Sequence, residues 1–157
     1  MRRPEAIAAS LLAGAERVMA GLAELTPFLG GQLPSANDDL SGLAVVSRIA
    51  SIALLKRFEQ LQDQTARLAR LAIELELERT DRVTVRDLAN AMERRGIVGD
   101  ADRWVDLNNL RNQLVHEYPV ATRERVDRVN ECWAATPLRI DAHQKLRAHL
   151  LAQGVAP

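Results

Sequence analysis

The chain has 157 residues, 47% apolar and 27% charged, an ordinary globular composition that indicates neither a disordered chain nor a membrane protein. Its 19 Arg and 2 Lys are balanced by 21 acidic residues, for a formal net charge of zero. That argues against gripping long nucleic acid through many phosphates, which relies on a basic field, but permits a local basic site.

Cys132 is the only cysteine, so no internal disulfide can form, and a reducing cytoplasm is the expected location. No Cys/His spacing suggests zinc and no Gly-rich phosphate loop is present, so neither a metal nor a cofactor is expected. The length suits one domain, residues 1–157, able to bury about 70% of its unfolded surface. With aromatics at 3%, its core is built mainly from Leu, Val, Ile and Ala, which favours helices.

In chain order, residues 4–25 read as a first helix, with Pro4 acceptable in its first turn. Its Ala/Leu-rich start faintly imitates a signal peptide, but Glu5 interrupts the basic end and the apolar spacing runs on through Val18, Leu22 and Leu25. No stretch reaches the length of uninterrupted apolar sequence needed to span a bilayer. Residues 27–36 hold two Pro and two Gly and read as a loop, and Asn37-Asp38-Asp39 supplies a cap and first-turn acids. From Leu40 to about Arg79 helical spacing continues, as one very long helix or as two with a break near residues 63–65. Ile73 to Glu78 alternates like a strand, but Leu and Glu favour helix and a lone strand would lack a partner.

Thr84 with Asp87 forms a capping-box start for a short helix that Gly96 ends. Asp100 or Asp102 opens the next helix, which stops at Pro119. Residues 121–134 form another, and Thr136-Pro137 caps a last one that fades before Gly154. The expected fold is all-α, an up-and-down bundle of about four principal helices with short additions.

The run from Leu110 to Pro119 carries an arginine, an amide, an imidazole and a phenol on about two helical turns. Leu107, Leu110, Leu114, Val115 and Tyr118 share an apolar arc, while Asn108, Asn112 and His116 stack beside it at i, i+4, i+8. Arg111 falls within the arc, where a guanidinium is costly unless it is paired or lines a cleft. Helix physics alone leaves a bland reading open, with an ion-paired Arg111 and a C-terminal capping His116.

Taken together, Arg111-Asn112, His116 and Tyr118 form Arg-Asn-x3-His-x-Tyr, which resembles the signature of the HEPN superfamily and specifically of its HepT-like ribonuclease toxins. Arg57 to Asp63, Met92 to Val98, and Trp104 with Leu107 also resemble the branch paired with minimal nucleotidyltransferases. The resemblance implies a metal-independent RNA endonuclease acting at a two-fold homodimer interface, with Arg111, Asn112 and His116 as its catalytic set. It also implies a cognate minimal nucleotidyltransferase antitoxin that silences the toxin by transferring AMP from ATP to Tyr118.

Chemistry supports the same assignment. Cleaving RNA through its own 2′-hydroxyl needs a base, an acid and positive charge on the phosphate. Histidine suits both proton transfers near neutrality, and arginine binds phosphate through a planar fork. One motif supplies one His, which gives a physical reason to pair two chains. Asn112, one turn before His116, can fix the ring or bind a phosphate oxygen.

The rival reading is a non-catalytic module of the same fold, serving as an RNA- or nucleotide-binding subunit or an interaction module of a nucleotidyltransferase complex. Elsewhere, Glu59 and Asp63 at i, i+4 could orient an arginine or hold a cation, although pairing of Asp63 with Arg67 is the plainer expectation. His143 and His149 read as surface residues. Arg123, Arg125 and Arg128 alternate with acids and read as a solvated face.

Overall fold

The computed structural model describes residues 4–76, 81–116 and 122–155. Among them the fold is all-α, with no β-strand: α1 (Pro4–Leu29), a 3₁₀ turn (Leu40–Gly42), α2 (Val45–Leu75), α3 (Val85–Arg94), α4 (Ala101–His116) and α5 (Thr122–Ala152).

Local chemistry accounts for most of the boundaries. Thr84 and Asp87 close a reciprocal capping box at the start of α3. Gly96, at φ 69°, ends that helix in the left-handed conformation, with Ile97 N–H donating to the Met92 carbonyl and Gly96 N–H to that of Glu93. Asp100 Oδ1 accepts from the backbone of Asp102 and Arg103 and so starts α4. Asp39 caps the 3₁₀ turn by accepting from Ser41 N–H, whereas α2 begins without a side-chain cap at Ala44.

Several elements depart from expectation. The segment after the first loop forms one 31-residue helix with no break near residue 63. Prolines do not stop the helices that contain them. α1 continues through Pro27, and the two helices expected either side of Thr136-Pro137 are a single α5. Pro137 cannot donate to the Trp133 carbonyl and costs about 3 kcal/mol in helix propensity. Tertiary packing offsets it, since Cys132 and Ala135 before it and Ala142 and Leu146 after it are all buried.

Of the three long helices, α1 runs against α2 and α5. Gly14 on α1 faces Gln64 on α2, and Gly21 faces Arg57, so these two run antiparallel. A Cβ on Gly14 would stand 3.1 Å from the Gln64 amide, so the two helices approach closely there. α5 runs the same way as α2, with Arg139 over Phe58 and His149 beside Glu76 at their later ends.

Two buried clusters fill the interior. One gathers Leu12, Leu68, Met92, Trp104 and Leu146, and the other Leu22, Leu54, Phe58, Leu61, Leu110 and Val129. The first expectation about membranes needs qualification, because α1 holds an 18-residue window with mean hydropathy 1.4, long and apolar enough to span a bilayer. Ala8, Leu12, Ala15, Val18 and Leu22 on that helix are nevertheless buried within the protein.

Candidate functional site

The motif occupies the second half of α4. Leu107 and Leu110 are buried, and Leu114 packs against the same cluster, so this side of the helix is fixed on the core. Val115, expected on the same arc, is 42% exposed. Arg111 turns toward α2, where a carboxylate meets it. Its Nε lies 2.7 Å from Asp63 Oδ1, and Nη2 donates to Asp63 Oδ2 at 2.9 Å.

This two-pronged pair resolves the cost of a guanidinium on an apolar seam. It also corrects one expectation, because Asp63 engages Arg111 across the helix interface rather than Arg67 on its own helix. The hydrogen bond to Asp63 holds the Arg111 pKa above its ordinary value. Partial desolvation opposes this, while the charges of Asp63 and Glu59 reinforce it.

Arg111 Nη1 donates to Asn112 Oδ1 at 3.2 Å. Nη2 is hydrogen-bonded to Asp63 and Nε stands within ion-pair distance of it without an aligned hydrogen bond, so among the described residues the Nη1 end is held by a neighbouring amide alone. Asn112 and His116 are exposed, and His116 sits in the last turn of α4. Five residues separate Arg111 from His116, about 140° around the axis and 7.5 Å along it. Within one chain they therefore share an end of the helix but not a face. Tyr118 lies outside the described residues.

The nearby arginines divide between two environments. Arg128 is not on a solvated face: its guanidinium is buried, donating to Glu124 at 2.8 Å and to the Gln113 carbonyl on α4 at 3.4 Å. Arg123 is exposed and pairs with Asp127 at 3.2 Å. The histidines of α5 also differ from expectation. His143 is fully buried, and burial pushes its pKa down. His149 Nε2 lies 2.6 Å from Glu76 Oε1 in a partly buried cluster.

A further buried cation had no reading in the sequence. Arg139 is 0% exposed, and its guanidinium stacks over Trp104 at 4.2 Å and over Phe58 at 5.6 Å. Only the helical register of α5, once known to pass through Pro137 unbroken, places Arg139 on the inner face with Cys132, Ala135, Ala142 and Leu146. Asp63 had a clearer signal, since an arginine on an apolar arc needs a carboxylate and two acids stand at i, i+4 on α2. Among the described residues, no three His, Cys, Asp or Glu side chains come together as a metal site would require.

Comparison of the chain with protein-family models, with curated proteins and with solved structures gave no match.

Proposed function

We propose that this chain is a metal-independent endoribonuclease of the HepT-like type, folded as an up-and-down HEPN bundle and acting in the cytoplasm as the homodimeric toxin of a nucleotidyltransferase pair. The observation that carries the reading is the pairing, at one end of α4, of an oriented guanidinium with a solvent-facing imidazole. Asp63 fixes Arg111 while leaving its Nη1 end beside Asn112, and His116 is exposed in the last turn.

In this reading neutral His116 from one chain takes the proton of the 2′-hydroxyl. The 2′-oxygen forms a bond to phosphorus as the bond to the 5′-oxygen breaks, and a second, protonated His116 supplies the proton that this leaving oxygen needs. Arg111 neutralises the charge that gathers on the non-bridging oxygens, and Asn112 steadies the phosphate or the ring. The products are a 2′,3′-cyclic phosphate and a 5′-hydroxyl. Silencing by the antitoxin joins Tyr118 Oη to the α-phosphorus of ATP, with release of pyrophosphate and loss of the phenolic proton.

Incubation of the protein with labelled single-stranded RNA in a chelating buffer tests this. Fragments ending in a cyclic phosphate are expected, and intact RNA would contradict the reading. Mass spectrometry of Tyr118 after co-expression with a minimal nucleotidyltransferase checks the regulatory part, which fails if no adenylyl group is found.

One observation favours the rival. Asp63 already neutralises Arg111 within the chain, as a purely structural arginine requires, and the motif would then serve partner contacts. RNA or nucleotide would in that case bind without being cut.

A further inference from the structure

The first two turns of α2 carry a face that none of the described residues covers. Val45, Val46, Ile49 and Ile52 are 61%, 53%, 62% and 64% exposed. They share a helix whose opposite side, Ser47, Ala50, Ser51 and Leu54, is buried. Val45, Ile49 and Ile52 fall at i, i+4 and i+7, the spacing of a coiled-coil seam, and Lys56 continues it at i+11. Four large aliphatic side chains this exposed in eight residues are a contiguous patch of a kind that marks an association surface.

We propose that this seam is the two-fold contact between two copies of the chain, the contact that brings two sets of Arg111 and His116 together; it rests on the two-chain reading of the active site. Three observations select a second copy as the occupant. The stretch from Leu43 to Ile52 carries one charge, Arg48, and no acid, so it matches another apolar seam rather than a charged partner, and a two-fold contact requires one self-complementary patch only.

The area also fits. These four side chains expose roughly 400 Å² per chain, or about 800 Å² for the pair, close to the apolar share of a standard interface of about 1,600 Å². Position is the third argument. Trp104 clusters with Leu68 and Leu71 while Leu107 and Leu110 cluster with Leu54, Phe58 and Leu61, so α4 runs antiparallel to α2, and each residue from Arg111 to His116 moves about 1.5 Å toward the end of α2 that bears the seam. A two-fold axis running along the seam, which pairs the two helices in parallel, would set both motifs at the same end of the assembly.

Sedimentation of the full chain, with RNA cleavage measured in parallel, tests the proposal on Ile49→Asp and Ile52→Asp. Both positions are exposed, so each variant should keep the helical fold, with its melting temperature lowered only as far as the weaker dimer accounts for. The wild type is expected to be a dimer, and each variant to dimerise about 100-fold more weakly because a carboxylate must be desolvated in the seam, with cleavage lost in proportion. As a positive counterpart, Ile49→Cys or Ile52→Cys should cross-link two chains on oxidation, since Cys132 is fully buried.

A wild-type monomer overturns the proposal. So does a variant that dimerises normally, or a monomer whose seam instead binds the nucleotidyltransferase. If the variants abolish a dimer that never cut RNA, the seam stands and the nuclease reading falls.

Discussion

Arg111 has five N–H donors and is clamped by one carboxylate, hydrogen-bonded through Nη2 and with Nε 2.7 Å from it. Such a clamp removes rotamer freedom before substrate arrives and holds the remaining donors in one direction. Asp63→Asn keeps the shape but loses the charge that fixes the fork. Its kcat for RNA cleavage is expected to fall about ten-fold through misplacement of Arg111. KM should not rise, because a negative charge beside the phosphate is removed. The Asp63 side chain is 42% exposed, so stability should change by less than about 1 kcal/mol. Steady-state kinetics with a thermal melt checks this, and an unchanged kcat would show that the clamp is not used.

Arg139 presents the opposite case, a buried cation with no carboxylate against it among the described residues and held by aromatic faces. Burial pushes its pKa down to about 9, below its value in the unfolded chain. The fold gains from this group only at pH above the unfolded pKa, and at neutral pH the charged form is a net cost. Arg139→Met fills similar volume without the charge and is expected to raise stability by about 1–3 kcal/mol. A denaturant titration at pH 7 checks it, and a marked loss would mean the guanidinium has partners worth more than its desolvation.

At the scale of elements, Glu76 is a junction. One carboxylate at the end of α2 accepts from Arg95 Nε at 2.9 Å at the end of α3 and from Gln153 Nε2 at 2.7 Å beyond α5, and it sits beside His149. The hydrogen bond from Arg95 holds its pKa below the ordinary carboxylate value; partial burial opposes the shift, while His149 and the Arg95 charge add to it. A lowered pKa means the junction contributes fully above the unfolded value, near 4.5, and loses that contribution as pH falls through the folded one. Glu76→Gln should cost about 1–2 kcal/mol at pH 7 and nothing extra at low pH. Melts at both pH values should converge for the two proteins on acidification, and a constant gap would contradict the assignment.

The elements also show what the sequence could and could not convey. Caps that act within four residues were legible, as at Thr84, Asp87, Gly96 and Asp100. Helix continuity across Pro27 and Pro137 was not, because burial of the flanking residues decides it. The misreading of His143 follows directly, since a helix restarted at Pro137 leaves its inner face undefined. The motif itself was legible as a pattern, and Arg111's need for a partner as chemistry. Which acid would answer depended on the register of α4 against α2, information that no local spacing holds.

For the molecule as a whole, the neutral charge balance and the seam on α2 point the same way. The chain lacks a broad basic field, so any RNA chemistry must come from a few well-placed groups, and a single chain offers one imidazole and one guanidinium at the end of α4. In the proposed dimer, a second copy across the seam would supply the missing pair. Two core clusters spread from α1 to α5 provide the rigid frame that such a shared site needs.

The most direct test compares the wild type with His116→Ala in cleavage of one labelled RNA, with the melting temperature of each recorded. His116 is exposed, so the substitution should leave the fold intact while cleavage falls by about 10³-fold or more, the range expected for loss of a general acid–base. Cleavage that persists at the wild-type rate in the folded variant would contradict the central claim.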